Sequence, residues 1–195
     1  SAAAQDADDR QPAPEAIPAE YRGWLGNITA EKTVPQIDAF VRGGGSVVTI
    51  GSAHRLAAAM GAQVEDVLRT EDGKPLASTD FFIPGAILKT EVDNRQPLAF
   101  GAPAQMDVFF NRNAGFRHAG EGAPIARYPE QVSVSSGWAI GPQKLSGADA
   151  VLDLPHGDGR LIVLGPDVVN RAQARSSVRL LFNALFYGPA VSAEE

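Results

Sequence analysis

The chain has 195 residues, 44% of them hydrophobic and 21% charged, which is enough for one domain with a full buried core. Its formal charge of −6 argues against nucleic acid or an anionic membrane as partner, since both demand a clustered positive field. The absence of cysteine removes disulfides, thiolate catalysis and cysteine-based metal sites, and no apolar run is long enough to predict a transmembrane segment.

Residues 1–18 are rich in alanine, acids and proline and lack apolar periodicity, so they read as a disordered arm or linker. So abrupt an opening is what is expected of a segment cut from a longer polypeptide. The domain is expected over residues 19–189, with a tail at 190–195. After a loop at "YRGWLGNI", whose Asn27 begins a glycosylation sequon by pattern only, the first helix is predicted. Thr33 and Gln36 have capping-box spacing, Pro35 suits a first turn, and Ile37, Phe40 and Val41 are expected to face inward. Gly43, Gly44 and Gly45 end it. They precede the next strand and lack GxGxxG spacing, so no dinucleotide fingerprint exists. Ser46 to Ile50 ("SVVTI") reads as a central parallel strand. Gly51 and Ser52 then turn the chain into a second helix, "AHRLAAAM", closed by Gly61.

Short strands are expected at "DFFIPG", "AILKTEV" and "MDVFF", followed by a long glycine-rich loop, "NRNAGFRHAGEGAP". "IARYP", "VSVSSGW" and "DAVLDLP" alternate like antiparallel edge strands, and "HGDG" makes a hairpin into a buried strand at Leu161 to Leu164. A loop from Gly165 to Asn170 leads to the last helix. Asn170 is its expected N-cap, Val178, Leu181, Phe182, Leu185 and Phe186 its apolar stripe, and Gly188 with Pro189 its stop. A buried strand feeding such a helix is the unit of an α/β sheet, which places ligand loops beyond the carboxyl ends of its strands.

Few residues offer chemistry. Ser52 on a strand-to-helix turn is either a helix cap or a nucleophile, and a nucleophile needs a base within reach; His54 is two residues away. His118 and Glu121 have HxxE spacing and His156 follows, but a zinc needs ligands converging from rigid supports, and this pair lies in a glycine-rich loop. Arg171, Arg175 and Arg179 recur every four residues as a solvated face. Arg171 and Gln173 stand in the expected first helical turn, where an anion is favoured, and Arg171 could instead pair with Asp167. Tyr21, Trp24, Tyr128 and Trp138 either line a groove for sugar or peptide or plug the rim of the sheet. Glu91 and Asp93 form an acid pair with nothing to mark a general-acid role.

Taken in order, "IPAEYRGWLG", "IDAFVRGGGSVVTIGSA", "FFIPGAILKTEVDNRQPLAFGAPAQMDVFF", "ARYP", "SGWAIG" and "GDGRLIVLGPDVVNRAQARSSVRLLFNALFYG" resemble a class I glutamine amidotransferase-like domain. The closer likeness is to the version attached to the C-terminal side of bacterial zinc carboxypeptidase-like proteins; similar domains also accompany some bacterial β-galactosidases. The resemblance implies a flavodoxin-like three-layer α/β sandwich, with a mostly parallel central sheet and antiparallel strands toward its C-terminal side. The family's first strand–helix units have no counterpart before Tyr21. Active members carry a cysteine where this chain has Gly51 and Ser52, and a histidine with an acid where it has Gly165, Pro166 and Asp167. The scaffold is therefore expected without the amidase, with Gly51, Ser52, His54, Asp167, Arg171 and Gln173 around a possible pocket. By the same resemblance the chain is expected to be a non-catalytic accessory domain in a periplasmic or secreted protein. An upstream peptidase domain would be its partner; that domain, not this chain, would hold a zinc. A peptide- or carbohydrate-binding module and a divergent serine hydrolase using Ser52 are the alternatives.

Overall fold

The structure, a computed structural model, describes residues 12–191; the rest of the expected arm and of the expected tail lies outside the described residues. Chain order is α1 (Thr33–Arg42), β1 (Ser46–Ile50), α2 (Arg55–Ala59), β2 (Val64–Asp66), β3 (Ala86–Val92), β4 (Gln105–Phe110), β5 (Phe116–His118), β6 (Ala123–Arg127), β7 (Val134–Gly137), β8 (Asp149–His156), β9 (Gly159–Leu164) and α3 (Val178–Val191). The strands form one mixed sheet with the main order β1-β9-β8-β6-β3-β4; β7 joins β3, β2 joins β5, and β5 touches β8.

The expectation of a mostly parallel sheet fails. Among the described residues only β1 and β9 run parallel, with Ser46 opposite Arg160 and Ile50 opposite Leu164; every other pairing there is antiparallel. The reason is connectivity. Parallel neighbours need a crossover of a dozen or more residues, usually a helix, and no α-helix lies between α2 and α3. Short returns such as the β8–β9 hairpin close antiparallel ladders instead. In that hairpin Gly159 is indispensable, because a Cβ there would collide with the carbonyl oxygens of both Val41 and Gly45.

"SVVTI" is parallel as expected, but it is the last strand of the order, not a central one. The contrast with its neighbour is plain. Leu161, Ile162, Val163 and Leu164 of β9 are fully buried, whereas Val47, Val48 and Ile50 are half-buried. Alternation along β9 divides the core. Leu161 and Val163 pack with Val34 and Val41 of α1 and Ala57 of α2; Ile162 and Leu164 pack on the other face with Leu180 and Ala184 of α3. α1 and α2 therefore cover one face of β1 and β9, and α3 the other.

The predicted helices need three corrections. No side-chain cap holds α1, so Thr33 and Gln36 make no capping box; Thr33 is already its first residue. The last helix does not begin at Arg171. Short 3-10 turns occupy Asn170–Ala172 and Arg175–Ser177, and α3 starts at Val178, then runs through Gly188 and Pro189 instead of stopping there. Gly188 is buried against Ser46, where a Cβ would come within 2.7 Å of the serine oxygen, so close packing and not termination explains it. The third correction concerns burial. α3 buries Leu180, Ala184 and Gly188, while Phe182, Leu185 and Phe186 are exposed, Phe186 to 77%; Phe40 of α1, expected inward, is 59% exposed.

"DFFIPG" is not a strand and contributes only an isolated bridge, Phe82 to Ile140. β5 forms inside the stretch read as a long loop, and β2 follows α2 unannounced; both have three residues, too few to show a period. No helix among the described residues is long and apolar enough to cross a membrane.

Candidate functional site

Beyond the carboxyl end of β1 the chain makes the sharp turn Gly51–His54 before α2. Gly51 takes φ +57°, open to glycine at no steric cost. Its missing Cβ leaves room for the Asn113 amide, which an added carbon would meet at 2.9 Å. This turn, the segment after β2 and the turn after β4 enclose a cavity of about 600 Å³. Leu68, Leu76, Phe81, Phe82 and Ile83 give it an apolar side. Ser52, Arg55, Arg69, Asn111, Arg112 and Asn113 supply polar groups, with His54 and Asp66 between.

Hydrogen bonds fix the polar side. His54 is buried, and its Nδ1 lies 2.9 Å from the Gly51 carbonyl, which can only accept, so Nδ1 carries the proton. Its Nε2 faces Asp66 Oδ2 at 3.8 Å. Burial holds the imidazole below its ordinary pKa, against the opposing pull of the Gly51 carbonyl and Asp66. Asp66 Oδ1 accepts the Leu68 N–H at 3.0 Å, and Arg69 Nε approaches Oδ2 at 3.4 Å. The second wall is a strained turn. Arg112 has φ +51°, a left-handed conformation rare outside glycine, and is held there from both sides. Its N–H donates to the Ile83 carbonyl at 3.1 Å, and Asn111 N–H donates to Asn113 Oδ1 at 2.6 Å. The Arg112 guanidinium stands 5.9 Å from the centre of the Phe82 ring, which meets Trp138 edge-on at 5.9 Å.

Of the six residues placed by sequence around a pocket, Ser52 and His54 line this cavity and Gly51 shapes the turn beneath them. Asp167, Arg171 and Gln173 do not line it. They follow β9, the parallel neighbour of β1, and mostly serve their own loop. Asp167 Oδ1 accepts the Val169 N–H at 3.4 Å, and Asn170 donates to Gln173 Oε1 at 3.4 Å. Arg171, exposed with φ +49°, is in a 3-10 turn and not in a first α-helical turn, which removes the helix-terminus argument for an anion there. Asp66, Arg69, Asn111, Arg112 and Asn113 escaped the sequence reading. They come from the end of β2 and from separate loops gathered by antiparallel pairing, and no spacing signals them.

Neither reading of Ser52 finds a partner. The turn and α2 carry no side-chain cap hydrogen bond, and both nitrogens of His54 face Gly51 and Asp66. A serine nucleophile needs one imidazole nitrogen as base and an acid on the other. Here the second is approximated by Asp66, and the first is taken by a carbonyl. His118, Glu121 and His156 do not converge either. His118 Nδ1 bonds Asp149 Oδ2 at 2.8 Å, His156 Nε2 bonds Asp38 Oδ1 at 2.5 Å, and among the described residues no three potential ligands come together. Arg95 grips Asp93 at 2.8 and 3.0 Å and holds its carboxyl at about 2, which suits an ion pair and not a general acid. Tyr128 is fully buried at the heart of the core, and burial raises its phenol pKa; Tyr21, Trp24 and Trp138 are exposed.

No protein-family model matches the chain, and no curated protein matches it. Solved structures do resemble it. A cytoplasmic protein, STM3548 from Salmonella typhimurium, superposes with a TM-score of 0.50 at 12% identity over 80% of this chain, a likeness of fold alone. The chain spans 59% of that protein. A protein described as ThuA-like from Parabacteroides merdae gives 0.46 at 15% identity, over 85% of this chain and 68% of its own. A β-galactosidase from Bacillus circulans sp. alkalophilus gives 0.46 at 10%, over 82% of this chain and 20% of its own. The structural neighbours of this mixed α/β chain, with its mostly antiparallel sheet, thus include a protein described as ThuA-like, at low identity.

Proposed function

We propose that this chain is a non-catalytic accessory domain that packs against a larger hydrolase through the open edge of β1. One observation carries the proposal. β1 ends the main strand order, presents a backbone row left unpaired among the described residues, and has neither charge nor proline in "SVVTI" to discourage pairing. The helices on either side of it leave apolar residues uncovered: Phe40 on α1, and Phe182, Leu185 and Phe186 on α3. Sheets with parallel pairs are normally covered on both faces, and a neighbouring strand–helix unit would cover these residues. The lack of a base beside Ser52 supports a role without bond cleavage. The sequence resemblance supports a bacterial zinc carboxypeptidase-like parent, periplasmic or secreted, whose peptidase domain would be the partner and hold the zinc.

The test combines turnover with context. The chain is expected to show no metal-independent amidase or peptidase activity that Ser52→Ala abolishes; such activity would establish the serine hydrolase instead. The full reading frame is expected to encode a zinc-peptidase domain upstream, and charged substitutions at Phe182 and Phe186 are expected to undock the two covalently joined domains, read as faster proteolysis between them. A second reading, ligand binding, is favoured by the cavity beyond β1.

A further inference from the structure

We infer that the outward side of α3 docks on an acidic face of the partner domain, with carboxylates opposite Arg171, Arg175 and Arg179 and an apolar centre over Phe100, Phe182 and Phe186. It rests on the accessory-domain reading and adds the chemistry of the partner's surface. Between Asp167 and Glu194 the chain has three arginines and no acidic residue, although its net charge is −6. Other arginines of the chain hold carboxylates: Arg42 pairs with Asp38, Arg69 with Asp66, Arg95 with Asp93, Arg127 with Asp149 and Arg160 with Asp153. Arg171, Arg175 and Arg179 are exposed, and none makes an ion pair among the described residues. A patch of one sign without internal partners repels itself and is complementary to a surface of the opposite sign.

The fold gathers these charges with aromatic surface. Leu180, Ala184 and Gly188 turn α3 onto the sheet, and at helical spacing Arg179, Phe182 and Phe186 share the opposite side. Arg171 and Arg175 lie in the 3-10 turns that lead into the helix. Asn183 Nδ2 donates to the carbonyls of Leu98 and Phe100 at 2.8 and 2.9 Å, which ties the turn at Pro97–Ala99 to α3. Phe100 is thereby held beside the helix, 76% exposed. The Arg179 side chain crosses the bare backbone of Gly101, where a Cβ would meet Nη1 at 2.9 Å. Arginine among exposed aromatic rings is the composition of a protein interface, where both are enriched and lysine is depleted. Residues 168–193 contain no lysine. A bilayer fits less well, because the chain as a whole is negative and a bilayer offers no strand to the open row of β1, on which α3 packs through Gly188 and Ser46.

Limited proteolysis of the full polypeptide, the product of the complete reading frame, tests this at about 50 and about 500 mM NaCl, with melting curves to verify folding. Arg175→Glu combined with Arg179→Glu is expected to speed cleavage between the joined domains at least about tenfold at low salt. Arg175→Lys combined with Arg179→Lys keeps the charge and should fall well short of that rise, and wild-type cleavage should itself quicken at high salt. Cleavage unmoved by charge reversal or by salt, or quickened as much by the lysine pair, overturns the acidic face. Phe182→Asp tells the two failures apart: if it still accelerates cleavage the accessory-domain reading stands without this inference, and if it does not both fall. Other occupants are outcomes that also overturn the inference. Flotation of the wild type with phosphatidylglycerol vesicles, lost on charge reversal, assigns the face to a membrane. A dimer in sedimentation that charge reversal dissolves assigns it to a second copy. Removal of residues 1–11, which carry Asp6, Asp8 and Asp9, assigns it to the chain's own arm if it reproduces the charge reversal. A reading frame without a second domain removes the partner, and both readings with it.

Discussion

Replacing Gly51 by alanine separates two opposite expectations. At a position with ordinary φ the change stabilises a protein by about 0.4–1 kcal/mol, because the unfolded chain loses freedom. Gly51 has φ +57°, where a Cβ costs about 1–2 kcal/mol. The new carbon would also stand 2.9 Å from Asn113 Nδ2. That amide is a flexible end and can swing aside, but Asn113 Oδ1 would then release the Asn111 N–H it holds at 2.6 Å, a loss of about 1 kcal/mol. The expected sum is a destabilisation of about 2–3 kcal/mol, a fall of roughly 4–12 °C in melting temperature for a chain of this size. Thermal and urea unfolding followed by circular dichroism measure it. In an Asn113→Ala background the same substitution should cost only the backbone part, about 1–2 kcal/mol. A Gly51→Ala protein that melts at or above the wild type would refute the link between this turn and the Asn111–Asn113 wall.

Two further outcomes follow from buried groups. The Ser177 hydroxyl, fully buried, lies 2.9 Å from the Val168 carbonyl and 2.6 Å from that of Ala174, tying the loop after β9 to the start of α3. Ser177→Ala should therefore lower stability by about 1–2 kcal/mol, and a loss below about 0.5 kcal/mol in urea titration would deny it that role. His54 gives a pH dependence. Burial lowers its folded pKa from the ordinary 6.5, so as pH falls through 6.5 the unfolded chain takes up a proton that the folded imidazole resists. Stability should drop across that window and below it, until the folded pKa is passed. Urea midpoints from about pH 7.5 to 5 should fall more steeply for the wild type than for His54→Gln, and parallel slopes would show that another group dominates.

The core strands were legible because their patterns are long. "AILKTEV" coincides with β3, and the unbroken run Leu161 to Leu164 with the fully buried part of β9. Direction was not legible. A continuous apolar run marks a strand covered on both faces, and β9 is covered by α1 and α3, yet it pairs in parallel on one side and antiparallel on the other. Pattern reports burial, while the length of the connection decides orientation. The candidate site was half legible for a related reason. Gly51, Ser52 and His54 are contiguous and lie at a strand end, which sequence displays. Asp66 at the end of β2 and Arg69 and Arg112 in the loops after β2 and β4 are brought to them by the fold, and a meeting of separate segments leaves no local trace.

The misplaced side chains share one physical cause. Helical periodicity counts every apolar residue, whether or not this chain supplies something to cover it. On α3 the sequence stripe through Phe182, Leu185 and Phe186 is rotated from the stripe that meets the sheet, Leu180, Ala184 and Gly188. On the opposite face of the sheet Phe40 departs in the same way. Both departures flank β1, the strand whose own sequence reads as central and whose position is an edge. Three patterns thus disagree with the packing around this one strand. Uncovered apolar residues on the helices either side of an open strand are what a surface covered by another strand–helix unit would show.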